Sequence, residues 1–299
     1  MRVLITGVLG FTGRYVARAF RIAGWEVHGL GTASSDPDGV CDSYWQVDLC
    51  DALRMREAVA ASCPTAVVHL AGLAFVGHGD PEAFYRINVI GTRNLLAATG
   101  RLSRCPGGVL LASSANVYGN ATAGVLDESV SPNPANDYAV SKIAMEFMAR
   151  LWMERLPVMI ARPFNYTGVG QDDSFLLPKI VGHYRRREAA VELGNLDVVR
   201  DFSDVRVVAQ KYLELVQSGA SGRVFNVCSG RGRSLAEVIA VMNAMAGYEI
   251  EVRVNPAFVR ANEVRKLIGS EAQLQSVIGV LPAIALEDTL AWMYGVESA

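Results

Sequence analysis

Short apolar runs alternate with amphipathic stretches along the first half of the chain. The apolar runs span residues 2–6, 26–30, 66–70, 108–112 and 158–161. Helical spacing of apolar residues marks the intervening stretches 13–23, 84–99 and 137–156. Strands without polar alternation, separated by helices, indicate a parallel sheet covered on both faces. The pattern predicts an α/β fold with a doubly wound, Rossmann-like parallel sheet.

The first predicted helix, residues 13–23, has one apolar face. Val16, Phe20 and Ala23 lie on that face, and Gly24 has the position of a C-terminal cap. We therefore expect this helix to pack against the sheet through these three side chains.

The pattern changes after Pro163. Residues 165–206 read as rich in loops, and a helix at 205–217 and a strand at 223–227 resume the first pattern. Further elements are predicted as a helix at 235–247, a strand at 250–254 and helical residues at 263–278. We predict a dinucleotide-binding domain from residues 1–164 plus 202–229. A smaller, discontinuous C-terminal substrate-binding domain would comprise residues 165–201 plus 230–299.

Composition narrows the class of protein. The chain of 299 residues is 51% hydrophobic and 19% charged, which excludes intrinsic disorder. A net charge of −2 argues against nucleic-acid binding. The five cysteines form no CxxC pair and the four histidines form no HExxH pair, so we expect reduced thiols and no metal site. No apolar run is long enough for a membrane span. We expect a cytoplasmic protein that binds neither nucleic acid nor a membrane.

A glycine-rich turn joins the first strand to the first helix. Gly7, Gly10 and Gly13 enclose Phe11 and Thr12 in this turn. Such glycines permit a tight turn and close approach of a pyrophosphate, and the helix start supplies free N–H groups. A glycine-rich turn without a ligand is the alternative. Because the turn lies at the first strand-to-helix junction, a dinucleotide site is favoured.

The residues beyond this turn bear on the choice of cofactor. An NAD site usually has an acidic residue about 20 positions past the glycines. Residues 31–35, including Thr32, are neutral, and the first acid is Asp36. Arg14 could face a 2′-phosphate or be an exposed arginine of the first helical turn. Asp48 could meet the adenine or cap a helix. We favour NADP(H), with NAD(H) left open.

A second motif places Tyr138 and Lys142 four residues apart on one helix face. An ammonium beside a phenol lowers the pKa of the phenol, which can then exchange a proton with a carbonyl or carbinol oxygen. Ser114 directly follows an apolar strand, at the sheet edge where ligands bind. Each motif alone also occurs on ordinary surfaces. Their order along the chain predicts one proton-transfer site.

On these motifs the chain resembles the extended short-chain dehydrogenases/reductases that act on nucleotide sugars. The resemblance covers nearly the whole chain and rests on residues 6–13, 69–72, 88–92, 113–119, 138–142, 162–165, 200–205 and 225–227. It implies that Ser114 and Tyr138 contact the reacting oxygen of the sugar. Lys142 would also hold the nicotinamide ribose, and Asn88 would brace the active-site helix.

The resemblance also extends the set of candidate binding residues. Further cofactor contacts would be Leu49, Leu70, Ala71, Gly72 and Pro163, beside Tyr138 and Lys142. Candidate substrate contacts are Asn116, Asn165, Lys179, Arg200, Arg260 and Glu263. Of these, Arg260 would face a phosphate and Glu263 a ribose, unless both form a surface ion pair.

Departures from the family pattern narrow the expected reaction. The 4,6-dehydratases carry Thr-Asp-Glu where this chain has Ser114, Ala115 and Asn116, so the acid and base for losing water are missing. The GDP-fucose synthases carry a cysteine and a histidine that this chain lacks at the matching places. The C-terminal half is similar to GDP-4-keto-6-deoxy-D-mannose reductases.

The resemblance implies NAD(P)H-dependent reduction of the C4 ketone of a nucleotide-linked, GDP-type 4-keto-6-deoxyhexose, in deoxysugar or polysaccharide biosynthesis. One alternative is a nucleotide-sugar 4-epimerase that retains NAD. Another is a protein that senses NADP(H) without turnover. We also expect a homodimer, because the Tyr138 helix carries more apolar residues than a solvated face requires, namely Ala139, Ala144, Met145 and Met148.

Overall fold

The computed structural model describes residues 1–74, 80–121, 124–258 and 264–295. Its strands are β1 (Arg2–Thr6), β2 (Glu26–Gly31), β3 (Ser43–Gln46), β4 (Ala66–His69), β5 (Val109–Ala112), β6 (Val158–Pro163), β7 (Asn165–Thr167), β8 (Ala190–Leu193), β9 (Val199–Asp204), β10 (Val224–Val227), β11 (Gly232–Ser234), β12 (Glu251–Val254) and β13 (Lys266–Leu267). Its α-helices are α1 (Phe11–Ile22), α2 (Ala52–Ser62), α3 (Pro81–Tyr85), α4 (Thr92–Thr99), α5 (Asp137–Arg150), α6 (Leu176–Arg185), α7 (Val205–Ser218), α8 (Leu235–Ala246), α9 (Ala272–Ile278) and α10 (Leu286–Gly295).

A seven-stranded parallel sheet forms the centre of the fold. Its strand order is β10-β6-β5-β4-β1-β2-β3, and every neighbouring pair is parallel. The direction of winding reverses between β1 and β4, and the crevice at such a switch point is where ligands bind. The predicted doubly wound α/β sheet is confirmed.

Both faces of this sheet are covered, which explains the unbroken apolar runs. Val3 and Ile5 of β1 pack with α1 and α7, whereas Leu4 packs with α2, α4 and α5. All three side chains are fully buried. Burying such a side chain contributes about 1.5–3 kcal/mol, so none of these three positions favours a polar residue.

Some predicted helix boundaries were wrong. The first helix ends at Ile22, so Ala23 is an exposed cap residue, while Val16 and Phe20 are buried as expected. The helix predicted at 84–99 begins at Pro81 and contains a π-helix, Arg86–Gly91. The helix predicted to reach 156 ends at Arg150.

The smaller lobe is more ordered than its sequence indicates. The stretch 165–206, expected to be rich in loops, contains β7, α6, β8 and β9. Of the helical residues expected at 263–278, only Ala272–Ile278 form a helix. Strands β11, β9, β13 and β7 form a second sheet, β12 pairs with β8, and α6, α8 and α10 share one core. The proposed residue limits of the two domains stay a prediction.

The four apolar residues of α5 that were expected to form a dimer face are not exposed. Ala139 and Met145 are buried in the core of their own chain, and Ala144 and Met148 are half-buried. No helix in the described part of the chain is long and apolar enough to cross a membrane.

Candidate active site

The glycine turn is packed so closely that side chains are excluded. A Cβ on Gly13 would lie 2.2 Å from the carbonyl oxygen of Gly7 and 2.5 Å from that of Val8. Gly7 has a φ of +68°, which favours glycine. Gly10 caps α1, whose first residues are Phe11 and Thr12. This turn at a helix N-terminus fits a dinucleotide pyrophosphate, because backbone N–H groups are free to approach it.

The adenosine part of a dinucleotide would lie at the ends of β2 and β3. Strand β2 ends at Gly31 and is followed by the exposed Thr32. An Arg14 Nη2 lies 2.8 Å from a carboxylate oxygen of Asp38, and both side chains are partly exposed. Arg14 therefore reaches the loop after β2, where a 2′-phosphate would lie.

Asp48 and Leu49 follow β3. Asp48 accepts a hydrogen bond of 2.8 Å from the backbone N–H of Cys50. The cap of α2 is Asp51, which accepts from the N–H groups of Leu53 and Arg54, so the alternative interpretation of Asp48 as a helix cap was wrong. Leu49 is buried in the core.

Ser114, Tyr138 and Lys142 converge at the carboxyl end of β5. Ser114 caps the short 3₁₀ helix Ala115–Tyr118, and its side chain hydrogen-bonds Tyr138. The Lys142 ammonium donates a 2.9 Å hydrogen bond to the carbonyl oxygen of Ala112 and lies 6.0 Å from the centre of the Tyr138 ring. The structure thus brings together the three residues predicted to be catalytic.

The electrostatics of this site differ from expectation. Burial raises the pKa of Tyr138 to about 12, although the hydrogen bond with Ser114 lowers it in part. Burial also lowers the pKa of Lys142 to about 8, opposed by the charge of Glu146. The expectation that Lys142 lowers the phenol pKa was wrong, because desolvation dominates. Tyr138 is therefore neutral at pH 7 and holds a proton that it can donate.

Asn88 braces the active-site helix. The π-helix places its amide between two segments: Nδ2 donates to Ser141 Oγ of α5 at 3.0 Å and to the Leu73 carbonyl at 3.1 Å. Its Oδ1 accepts from the Leu73 N–H at 2.9 Å. π-helical turns are frequent at functional sites. Asn88 therefore fixes α5 against the segment that follows β4.

Hydrogen bonds of Thr6 and His69 fix the start of the segment that follows β4. The His69 ring lies 2.6 Å from Thr6 Oγ1 and 2.8 Å from Thr92 Oγ1. Burial, with the nearby Lys142 charge, lowers the pKa of His69 to about 3, so the ring is neutral. Thr6 also accepts from the N–H groups of Leu70 and Ala71. Gly72 follows at the exposed edge of the crevice.

Tyr166 links the smaller lobe to the glycine turn and was missed by the sequence analysis. Pro163 ends β6, and Asn165 begins β7. The Tyr166 hydroxyl lies 2.8 Å from Thr12 Oγ1, and its ring stacks on Phe11 with 6.2 Å between centroids. No local pattern indicates this contact, because Thr12 and Tyr166 are 154 residues apart in the chain.

The candidate substrate residues occupy the smaller lobe and the 3₁₀ helix. Arg200 is half-buried and donates to the backbone carbonyls of Val199 and Arg265. Lys179 donates to the Glu192 carbonyl at 2.8 Å and lies 4.2 Å from the Phe258 ring centre. Four of the six candidate substrate residues are described by the structure, namely Asn116, Asn165, Lys179 and Arg200. The other two, Arg260 and Glu263, lie outside the described residues.

Comparison with known proteins gives the class that the fold and site define, the extended short-chain dehydrogenases/reductases. Within that class, the chain belongs to the family described as GDP-mannose 4,6 dehydratase, whose model matches residues 4–293. The chain is 32% identical to a GDP-6-deoxy-D-talose 4-dehydrogenase of Aggregatibacter actinomycetemcomitans, over 93% of this chain and 92% of that protein. It is 34% identical to a GDP-6-deoxy-D-mannose reductase of Pseudomonas aeruginosa, over 97% and 94%.

Two solved structures share the whole fold. A candidate epimerase from Burkholderia cenocepacia J2315 superimposes with a TM-score of 0.93 and 53% identity, covering 98% of this chain and 96% of that one. A Pseudomonas aeruginosa protein called RMD, solved with NADPH, gives a TM-score of 0.83 and 32% identity, covering 98% and 97%.

Proposed function

We propose that the protein reduces the C4 ketone of a GDP-linked 4-keto-6-deoxyhexose with NADPH. The observation that carries this proposal is the meeting of Ser114, a neutral Tyr138 and Lys142 at the end of β5. A nicotinamide cofactor supplies hydride when bound. Tyr138 donates its proton to the ketone oxygen, Ser114 hydrogen-bonds that oxygen and orients the carbonyl, and Lys142 binds the cofactor ribose.

Dehydration is not proposed, in spite of the family description. Loss of water requires an acid and a base beside the sugar ring, and the dehydratase pattern places them directly after the serine or threonine. Here those two positions are Ala115 and Asn116, neither of which titrates in the working range. Reduction needs only the proton donor that Tyr138 provides.

The GDP-linked substrate is supported by the relatives. Both curated relatives at 32% and 34% identity are named for GDP-6-deoxyhexoses. Such reactions belong to deoxysugar and polysaccharide biosynthesis. Residues of the smaller lobe, Arg200 and Lys179 among them, supply the positive charge that a diphosphate requires.

A 4-epimerase with retained NAD is the second candidate, favoured by the 53% identity to the candidate epimerase from Burkholderia cenocepacia. The same three residues serve both reactions, so the cofactor separates them. The purified protein is dialysed and its absorbance is measured. We expect the nicotinamide to exchange freely, as a reductase requires, whereas NAD that survives dialysis would favour the epimerase. A protein that only sensed NADP(H) would not need Ser114, Tyr138 and Lys142 for proton transfer, so this alternative is not proposed.

The cofactor preference gives a testable prediction. Residues 32–35, which follow β2 directly, carry no carboxylate that would repel a 2′-phosphate, and Asp38 of the same loop is paired with Arg14. Thr32→Asp should shift kcat/KM from NADPH towards NADH by about tenfold, the value of about 1.4 kcal/mol for one charge-assisted contact. Steady-state kinetics with both cofactors on wild type and variant measure the ratio. A wild type that strongly prefers NADH, or an unchanged ratio in the variant, would contradict the proposed 2′-phosphate site.

Arg200→Ala gives a second prediction, on the substrate side. Arg200 would contact a part of the sugar nucleotide that does not react. Its loss should therefore weaken the binding of the ground state and of the transition state equally. We expect a KM about tenfold higher with little change in kcat. Arg253→Ala is the matched control, because Arg253 is an exposed arginine of the same lobe paired with Glu251. Equal KM values in both variants would remove Arg200 from the substrate site.

We also propose that the protein forms a homodimer through the outer face of α5. Phe147 is 57% exposed on this helix, Leu151 directly after it is 78% exposed, and Ile90 of the adjoining π-helix is 48% exposed. Large apolar side chains exposed on one helix and its neighbour favour association with another protein surface. Phe147→Glu should convert a dimer to a monomer in sedimentation, and a wild-type monomer would contradict the proposal.

A further inference from the structure

A buried ion pair lies directly beneath the catalytic residues. Glu146 accepts hydrogen bonds from Arg162 Nε at 2.9 Å and from Arg162 Nη2 at 2.7 Å. The Ser113 hydroxyl donates to the same carboxylate at 2.5 Å. Glu146 is fully buried, and the Arg162 side chain is 3% exposed. The sequence analysis assigned no role to any of these three side chains.

The positions of these partners in the chain connect the pair to the site. Glu146 is one turn beyond Lys142 and two turns beyond Tyr138, so all three share one face of α5. Ser113 directly precedes Ser114 at the end of β5. Arg162 directly precedes Pro163, the candidate cofactor contact at the end of β6.

The network continues to the far side of the site. The Arg162 guanidinium lies 4.8 Å from the centre of the Tyr118 ring, and the Tyr118 hydroxyl donates to Asn226 Oδ1 at 2.7 Å. Arg162 Nη1 is buried and has no hydrogen-bond partner among the described residues. The guanidinium is therefore held by the bidentate Glu146 carboxylate on one side and by the Tyr118 ring on the other.

We propose that Glu146, held by Ser113 and Arg162, is a positioning residue that sets the geometry of Ser114, Tyr138 and Lys142. This inference rests on the proposed function for its kinetic readout only. A buried ion pair is weak evidence for stability, since apolar replacements are often as stable. A role in positioning explains why the carboxylate receives bonds from residues adjacent to two separate site segments.

The charge of Glu146 affects Lys142 in a way that packing alone would not. Among the residues that the structure describes, the groups that face Lys142 from other elements are His69 of β4, which is neutral, and the Ala112 carbonyl oxygen of β5. On α5 itself, Tyr138 is neutral and Glu146 is the charge that raises the pKa of Lys142. Without Glu146, burial and the uncompensated Arg162 would both act against the ammonium.

The test uses single and paired variants of the whole protein. Glu146→Gln removes the charge and leaves Arg162 unpaired. Glu146→Leu with Arg162→Met removes both charges and should fold, because a buried pair tolerates joint apolar replacement. Glu271→Gln is the matched control: Glu271 pairs with Lys211, another ion pair with a buried member, between α7 and α9. Unfolding midpoint, NADPH affinity from pH 6 to 10 and kcat are measured for each.

We expect the paired variant to keep its unfolding midpoint and to lose about tenfold or more in kcat, as displaced catalytic groups do. In wild type, NADPH affinity should fall as the pH rises through about 8, where Lys142 loses its proton. This fall is the basic limb of the pH profile of NADPH affinity. In Glu146→Gln the limb should lie about one pH unit lower. Glu271→Gln should lower the midpoint and leave kcat and the limb unchanged.

A folded paired variant with wild-type kcat, or an unmoved limb in a folded Glu146→Gln, would overturn the proposal. If neither charge variant folds, Ser113→Ala decides, because it keeps both charges and removes one hydrogen bond. It should lower kcat about threefold or more, and a wild-type kcat would overturn the proposal. NADPH binding needs no sugar nucleotide. A wild type that reduces no ketosugar would therefore sink the proposed function while the limb still tests Glu146.

Discussion

Tyr138→Phe is expected to lower turnover by about 100-fold or more, the range for a positioned acid. The phenol is buried and neutral, so it carries the proton that the ketone oxygen must receive. Phenylalanine fills the same space and keeps the packing against Phe84, whose ring centre lies 5.9 Å away. The unfolding midpoint and the affinity for NADPH should therefore change little. Single-turnover NADPH oxidation measures the chemical step directly.

Tyr212→Phe is the matched control for this variant. Tyr212 is another fully buried tyrosine, and its hydroxyl has no hydrogen-bond partner among the described residues. Removing that hydroxyl should leave turnover unchanged, since it breaks no bond. Near wild-type turnover in Tyr138→Phe, or an equal loss in both variants, would remove Tyr138 from the proton-donor role.

Gly13→Ala is expected to weaken NADPH binding by at least about tenfold and to lower the unfolding midpoint. The added methyl would lie 2.2 Å from the Gly7 carbonyl oxygen and 2.6 Å from Val8 Cα, both backbone atoms of the glycine turn. No side-chain rotation relieves these contacts, so the turn itself must move. Such overpacking costs about 1–3 kcal/mol, and the displaced turn is the one that would hold the pyrophosphate. Fluorescence titration with NADPH measures the loss.

Gly124→Ala controls for the loss of a glycine as such. Gly124 is exposed, and a Cβ there meets no atom of a described residue within 4 Å. Its affinity and midpoint should match those of wild type. If Gly13→Ala also matched wild type, the turn would not be the cofactor cradle.

Local sequence patterns were sufficient to predict the sheet and to pick out the three candidate catalytic residues that the structure brings together. Most strands of the large sheet are apolar on both faces and give a clear signal, whereas the edge strand β3 is partly exposed and does not. Tyr138 and Lys142 are one helical turn apart, and Ser114 follows its strand directly, so their relation can be recognised without the fold. The glycine turn has the same local character.

The stretch 165–206 gave no such signal, because its strand β9 buries polar groups. Strand β9 contains Arg200, Asp201 and Asp204, yet Asp201 is fully buried. Its carboxylate accepts from the N–H groups of Ser229, Gly230 and Gly269, and from the hydroxyl of Ser229. These bonds compensate for its desolvation, and burial still raises its pKa. The polar residues of that stretch therefore led to the prediction of loops.

Residues that act through distant partners were missed for a related reason. Tyr166 meets Thr12, and Glu146 meets both Arg162 and Ser113, only after the chain has folded. The π-helix around Asn88 likewise depends on tertiary contacts and has no sequence pattern of its own. Sequence shows which residues have suitable chemistry, and the fold determines which of them meet.

The central claim is tested most directly by NADPH oxidation with GDP-, UDP-, CDP- and dTDP-linked 4-keto-6-deoxyhexoses. We expect one NADPH to be consumed for each GDP-linked ketosugar, with markedly lower kcat/KM for the other bases. The product should be the corresponding 4-hydroxy sugar nucleotide. Failure to oxidise NADPH with any of the four, together with interconversion of C4 epimers by protein that retains NAD, would contradict the reductase.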